Sequence, residues 1–526
     1  MSESNETLLH ECLWLDCIEI FKGIKHLRQN MMEDNRIIRG REAQRMIVET
    51  AWEMAEAVRA TLGPKGMDMM LVDRMGNQVL TNDGASIIKA LETRDPIAKI
   101  IAEVAKSQEQ NAFDGTTTCI ILLGELLRRA LELIERGAHP NAIIKGFRIG
   151  LEQALQAAFE NAIKKEPYEA GKEAASTAIT GKSAEAFLDV LADICARAAI
   201  IARPSEIKLL TVPGNPKDSH LVEGLVVLKA PMTQGMPEVS EGNILLLESE
   251  LGPPQAQMTL NDPDKIAQVV DMQTKYMQEI LSRIKENNVK TLFCQRGVDS
   301  RAAQWLRKEG ILAFKNIKRS DMMRLAVATK GHIISDPADI NGEDLGQGIA
   351  TVHESVNPYV SVQGEEVEAA SIIIPAPTEQ SAEEFQRALE DAVGVAHLCV
   401  KEPLVVHGAG TIQAQMYSAI KNGQPASNAK VEAARLAFAE ALLVIPQTLA
   451  ESAGMDVMDV TVRLSNEPTL GVDVHEMELV PMSVFEPLGV VRSALTSAVE
   501  NGVSLLRTHS VIMAKPIQEI FADAEK

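Results

Sequence analysis

Hydrophobic positions in the first third of the chain fall at helical spacing. Ile47, Ala51, Met54, Ala55, Val58 and Leu62 share one face, and Gly63-Pro64 stops that helix. Met70–Val72 and Val79–Thr81 then flank Gly76-Asn77, which predicts a short hairpin. Helical text resumes after Asn82-Asp83-Gly84. Beyond Asp114-Gly115-Thr116-Thr117-Thr118 an apolar face runs through Leu123, Leu127, Ala130 and Ile134. His139-Pro140 opens a further helix, with proline at its first position, reaching to about Lys165.

The middle of the chain changes period. Ile244–Leu247 and Thr291–Cys294 are short apolar runs that predict buried strands, interleaved with helical stretches over 262–286 and 300–309. This alternation predicts an α/β module near residues 226–370. Helical patterns return over 382–399, 427–454 and 490–506. The simplest architecture is a helical domain made from both ends of the chain, with a second domain inserted in it. There is no internal repeat and no low-complexity tract.

Composition narrows the class. A length of 526 residues predicts roughly three domains of about 150 residues. A hydrophobic share of 46% excludes global disorder. The balance of 52 Lys+Arg against 73 Asp+Glu, net −21, argues against a nucleic-acid binder or a polybasic membrane protein. Aromatic residues are only 3%, so cores must be built from Ala, Val, Ile, Leu and the 22 Met. Cys12, Cys17, Cys119, Cys195, Cys294 and Cys399 form no CxxC pair, which predicts buried free thiols and no zinc site. The histidines show no metal-ligand spacing, and Trp14, Trp52 and Trp305 make no stacking platform. No run of 18 apolar residues predicts a membrane span. Glu3, Glu6 and Glu11 are unlike a signal peptide, so the expectation is a cytoplasmic protein. Residues 1–35 differ in texture from the rest and read as an extension or a start-site error.

Several segments carry candidate chemistry. Asp114–Thr118 precedes a long helix, whose N-terminal N–H groups and dipole favour phosphate. Asp114 beside phosphates would hold magnesium. Alone, the segment reads first as a helix cap. Thr61-Leu-Gly-Pro-Lys-Gly66 lacks the P-loop spacing and alone is a helix stop. Asp83 and Asp391, each alone, read as solvated carboxylates. Together, three aspartates from distant segments would suit phosphoryl transfer, one holding magnesium and the others orienting water. Met322-Met323 reads as a core or helix-face pair, or as a contact for other chains.

Taken in order, Thr61–Asp68, Thr81–Ala85, Asp114–Thr118, Arg387–Val393 and Phe438–Gly454 resemble the chaperonins, over about Arg39 to Ile512. Cys294–Asp299 followed by Gly310-Ile-Leu-Ala, and the stretch Asp262–Gln278, resemble the group II apical segment and its helical protrusion, the built-in lid. The resemblance implies a multidomain α and α/β chaperonin fold. Its all-helical equatorial domain would be 1–166 plus 408–526, its intermediate domain 167–225 plus 371–407, and its α/β apical domain 226–370. It implies a stacked double ring of like or sister subunits that encloses non-native proteins at the expense of ATP and Mg2+. Leu62, Gly63, Pro64, Asp114, Gly115, Thr116, Thr117 and Thr118 would bind the phosphates, with Asp114 on the metal. Asp83 and Asp391 would be catalytic. Lys182 would sense the γ-phosphate, Gly408 and Gly410 would approach the nucleotide, and Glu486 would face the ribose.

The chain departs from the family pattern at Phe113, where group II has glycine, and at Gln413, where it has an acid. It departs again over Pro375–Thr378 and over Thr508–Ile512. Phe113 adds bulk beside the phosphates. The alternative is therefore a nucleotide-binding structural subunit with little or no ATP turnover. An unrelated metabolic ATP-utilising enzyme would need a small-molecule site that the sequence does not offer.

Overall fold

The computed structural model describes residues 36–72, 76, 78–91, 95–253, 263–354, 358–364 and 369–513. The extension 1–35 with Cys12, Cys17 and Trp14, the turn residue Asn77 and the protrusion's first residue Asp262 lie outside the described residues. The helices in chain order are α1 (Arg41–Arg59), α2 (Gly84–Ala90), α3 (Pro96–Ala112), α4 (Thr116–Glu135), α5 (Pro140–Glu160), α6 (Pro167–Ile179) and α7 (Leu188–Ile201). There follow α8 (Pro263–Glu286), α9 (Ser300–Lys308), α10 (Arg319–Thr329) and α11 (Glu379–Lys401). The last five are α12 (Thr411–Asn422), α13 (Ala429–Leu442), α14 (Val444–Ala453), α15 (Val457–Asn466) and α16 (Leu488–Arg507).

Three large hydrophobic cores organise these elements. The first joins α1–α5 to α12, α13 and α16, so both halves of the chain build it. The second lies wholly within residues 225–369 and wraps a seven-stranded mixed sheet. The third packs α6, α7 and α11 on the strands Ile207–Pro213 and Ala370–Ala376, and alanine dominates it.

The hairpin forms as its pattern predicts, with Met69–Val72 antiparallel to Gln78–Thr81. The α/β module is also present, with Val239–Leu247 parallel to Val289–Cys294. Two expectations are corrected. The region made from both ends is not all helix: Arg36–Arg39 pairs with Ser510–Met513, and Leu404–His407 pairs with Ile163–Lys164 and Phe485–Pro487. Strands this short carry too few alternations to announce themselves. The helix expected over 427–454 breaks at Leu443 into α13 and α14. Pro446 has no N–H to give the Leu442 carbonyl, and its ring crowds that carbonyl. Ala429–Ala453 is long and apolar enough to cross a membrane, yet most of this stretch is buried in this fold. Cys119, Cys195, Cys294 and Cys399 are buried free thiols, as expected.

The junctions between cores are hydrogen-bonded strand pairs. Strand Ile163–Lys164 leaves the first core beside Leu404–His407, which returns to it. At the other junction, Ser371 Oγ accepts from the Val226 N–H (2.8 Å) and donates to the Gly224 carbonyl (3.0 Å). There too, Lys208 Nζ reaches Asp321 Oδ1 at 2.5 Å and the Val226 carbonyl at 3.0 Å. Both side chains are nearly buried. Removing one partner of such a pair leaves an uncompensated buried charge. Lys208→Met should therefore destabilise the fold by about 3–5 kcal/mol. Lys208→Met with Asp321→Leu should regain much of that loss, as read from thermal unfolding midpoints.

Candidate functional site

A cavity of about 520 Å3 opens between the first and third cores. This is an ordinary size for a small-molecule or cofactor site. Its floor is the end of α3 and the start of α4. Phe113 and Gly115 both take left-handed backbone, φ 60° and 76°, so the chain turns sharply between the helices. Gly115 is the N-cap and no side chain caps α4. The first intrahelical bond there is from the Cys119 N–H to the Gly115 carbonyl. The N–H groups of Thr116, Thr117 and Thr118, all in the cavity wall, are thus left open. Of the two readings of this segment, a capped helix is not what forms.

The turn is held from behind. Gln108 is fully buried, donates to the Asp114 carbonyl at 2.9 Å and accepts from Ser493 on α16 at 2.7 Å. Asp114 Oδ1 accepts from the Gly115 N–H. Asp83 sits beside this turn as the N-cap of α2, accepting from the N–H groups of Ala85 and Ser86. Gly84 lets α2 approach α4, since a Cβ there would meet Thr117 Oγ1 at 2.5 Å. Leu62, Gly63 and Pro64 form the next stretch of wall, after α1 ends.

The facing wall belongs to the third core. Lys182 Nζ lies 2.6 Å from Asp391 Oδ2. Burial pushes the Asp391 carboxyl up to about 7 against the pull of Lys182, with Asp114 and Asp83 adding to the rise. Burial opposes the Lys182 charge, but Asp391, Asp114 and Asp83 outweigh it and raise its pKa. Burial, and then Asp114, likewise push the Glu486 carboxyl up to about 7. Glu486 stands on strand Phe485–Pro487.

Every residue expected at the site lines this cavity except Gly408. Gly408 lies behind the wall, where a Cβ would meet Glu486 Oε1 at 2.8 Å. Gly410 is the left-handed N-cap of α12 and is in the wall. Sequence reasoning missed Glu109, Thr180 and Asp473, which also line the cavity. Glu109 had a signal, since it lies on α3 just ahead of Asp114; Thr180 and Asp473 had none beyond position. Gln413 lines the wall with a buried side-chain oxygen that has no partner among the described residues.

The described residues hold no cluster of three or more His, Cys, Asp or Glu side chains fit for a metal. The Asp114 carboxylate beside open N–H donors suits magnesium, which commonly takes one or two carboxylates and otherwise phosphate and water. A phosphorylated ligand and its magnesium therefore fit the donor set.

The TCP-1/cpn60 chaperonin family model matches residues 54–516. The chain is a group II chaperonin. It is 39% identical to thermosome subunit beta of Archaeoglobus fulgidus, over 91% of this chain and 93% of that one. It is 36% identical to the thermosome subunit of Methanopyrus kandleri, over 91% and 93% respectively. Thermosome subunit alpha of Archaeoglobus fulgidus is also 36% identical, over 91% and 93%.

In this chaperonin the turn at Asp114 depends on a buried glutamine with two neutral partners. Gln108→Leu keeps the volume but strands the Asp114 carbonyl and the Ser493 hydroxyl. The expected cost is about 1–3 kcal/mol, seen as a lower unfolding midpoint and faster amide exchange at residues 113–119.

Proposed function

We propose that this chaperonin binds ATP in the cavity between its first and third cores and hydrolyses it to enclose non-native proteins and promote their folding. One observation carries the reading: the uncapped N-terminus of α4 faces, across one cavity, a lysine–aspartate pair supplied by a different core. The open N–H groups of Thr116–Thr118, with Leu62, Gly63 and Pro64, take the phosphates. Gly410 borders the nucleotide from the second half of the chain, Gly408 backs Glu486, and Glu486 meets the ribose. Lys182 neutralises the terminal phosphate. Asp391, with Asp83 beside it, orients and deprotonates the attacking water. Magnesium held by Asp114 would offset phosphate charge.

The first core, over 1–166 and 408–526, is then the equatorial domain. The third, over 167–225 and 371–407, is the intermediate domain, and the second, over 226–370, is the apical domain. Because Asp391 and the phosphate cradle lie on separate bodies, turnover requires the intermediate domain to close, and that closure carries the apical domain with it. Apolar side chains stand exposed on the second core, among them Met323 at 59% and Met272 at 71%, and these suit non-native chains. Met322, by contrast, is fully buried, so the adjacent pair divides between the two roles. Helix α8 serves as the lid. Further copies or sister subunits complete a double ring in the cytoplasm.

Magnesium-dependent ATP hydrolysis by the purified protein, alone or with sister subunits, tests this reading. Bound ATP that stays intact in a single-turnover assay would leave a nucleotide-holding structural subunit instead. Asp391→Asn should keep nucleotide binding and lower turnover by about 10²–10⁴. The Asp391 carboxyl must be ionised to accept a proton, and its folded-state pKa lies above the usual carboxylate range, at about 7. The kcat/KM for ATP should therefore hold above that pH and fall as pH drops through it.

A further inference from the structure

Phe113 is the residue whose bulk stands out beside the phosphate turn, and its ring does not point at open solvent. It is half-buried, lines the cavity and packs against the third core. Its partner is Gly394 on α11, one turn beyond Asp391. A Cβ at Gly394 would lie 2.1 Å from Phe113 Cγ and 2.3 Å from Cδ1. The missing side chain of Gly394 is thus a notch that the ring fills. Phe113 holds this position from left-handed backbone, φ 60°, which side chains adopt only when their surroundings compensate. The ring's seating in the notch is that compensation.

The other ties near the cavity between these two bodies include single hydrogen bonds. Asn82 Nδ2 donates to the Gly181 carbonyl at 3.0 Å, and Thr177 Oγ1 donates to the Phe485 carbonyl at 2.7 Å. Each is a group that water can replace at little net cost. A ring in a closed notch is different, since leaving it exposes apolar surface on both sides.

We propose that Phe113 is a positioning residue that latches α11 over the cavity. The ring seated against Gly394 sets the height of Asp391 above the α4 N-terminus before nucleotide arrives. This rests on the ATP-hydrolysing reading for its catalytic consequence, but the latch itself is a property of the nucleotide-free protein. The phosphate cradle belongs to the first core, so the latch acts on turnover and not on nucleotide capture.

The test combines amide hydrogen exchange of the nucleotide-free protein with steady-state ATP hydrolysis. Phe113→Gly suits the left-handed backbone and removes the ring. Exchange over residues 388–398 should rise about tenfold or more, while kcat falls several-fold and KM for ATP barely moves. Phe113→Leu, which keeps apolar bulk, should fall between. Gly394→Ala should disturb the wild-type protein, because its methyl meets the ring, yet add little to Phe113→Gly, where the notch is empty. Unchanged exchange over α11 in Phe113→Gly would overturn the latch. So would Gly394→Ala acting equally in both backgrounds. Should the wild type hydrolyse no ATP, the exchange measurements still decide the latch, and only the functional reading falls.

Discussion

The Lys182 ammonium is the charge to which three aspartates of one cavity are coupled. Asp83, Asp114 and Asp391 come from three separate stretches of chain, and each raises the pKa of Lys182. Without that cation the three would repel, and in a site walled by protein such repulsion is only weakly screened. Lys182 sits on the loop after α6 and meets Asp391 on α11, so the pair belongs to one core while the other two aspartates belong to another. The Lys182 charge therefore acts on both walls of the cavity. Burial, opposed by Lys182, holds the Asp391 carboxyl well above the usual carboxylate range, at about 7.

The bodies that carry these groups are built for close approach. In the first core a Cβ at Gly146 would collide with Ala434, and one at Gly150 with the Phe438 ring. The third core is lined by alanines from α6, α7 and α11, and His397 and Cys399 are buried there as well. Small side chains leave few rotamers to reshuffle, so the helices lock by backbone proximity. The low aromatic content follows from this. Large rings are kept for particular places, such as the stacked pair Phe293–Phe314 in the seven-stranded sheet and Phe113 at the rim of the cavity.

Long elements were legible because period accumulates over their length. The faces of α1 and α4 and the alternation of strands and helices between Ile244 and Gly310 needed nothing beyond spacing. Short strands such as Ile163–Lys164 and Phe485–Pro487 were not legible, since their pairing is a fact of tertiary structure. The break at Leu443 was legible in principle, because Pro446 is visible in the text. Of the candidate site, the Asp114 turn is readable as a local motif and Asp391 only as one of several scattered carboxylates, whereas Lys182 is placed only by the family resemblance. Gly408 shows the limit of such transfer, since it shapes the site through Glu486 and not by lining the cavity. Phe113 was read as an obstacle beside the phosphates. Its notch on Gly394 could not be read, because nothing local joins two residues so far apart in the chain.

The strand pairs at the junctions have a mechanical consequence. A body tethered by one strand can swivel about it as well as tilt. Here the outgoing strand Ile163–Lys164 and the returning strand Leu404–His407 lie side by side and bonded, and the junction between the third and second cores repeats the scheme through Gly224, Val226 and Ser371. Two bonded tethers resist torsion and leave bending as the soft direction. Each junction then works like a door on two pins, and a small tilt near the cavity becomes a longer arc at the far end of the chain's outermost body.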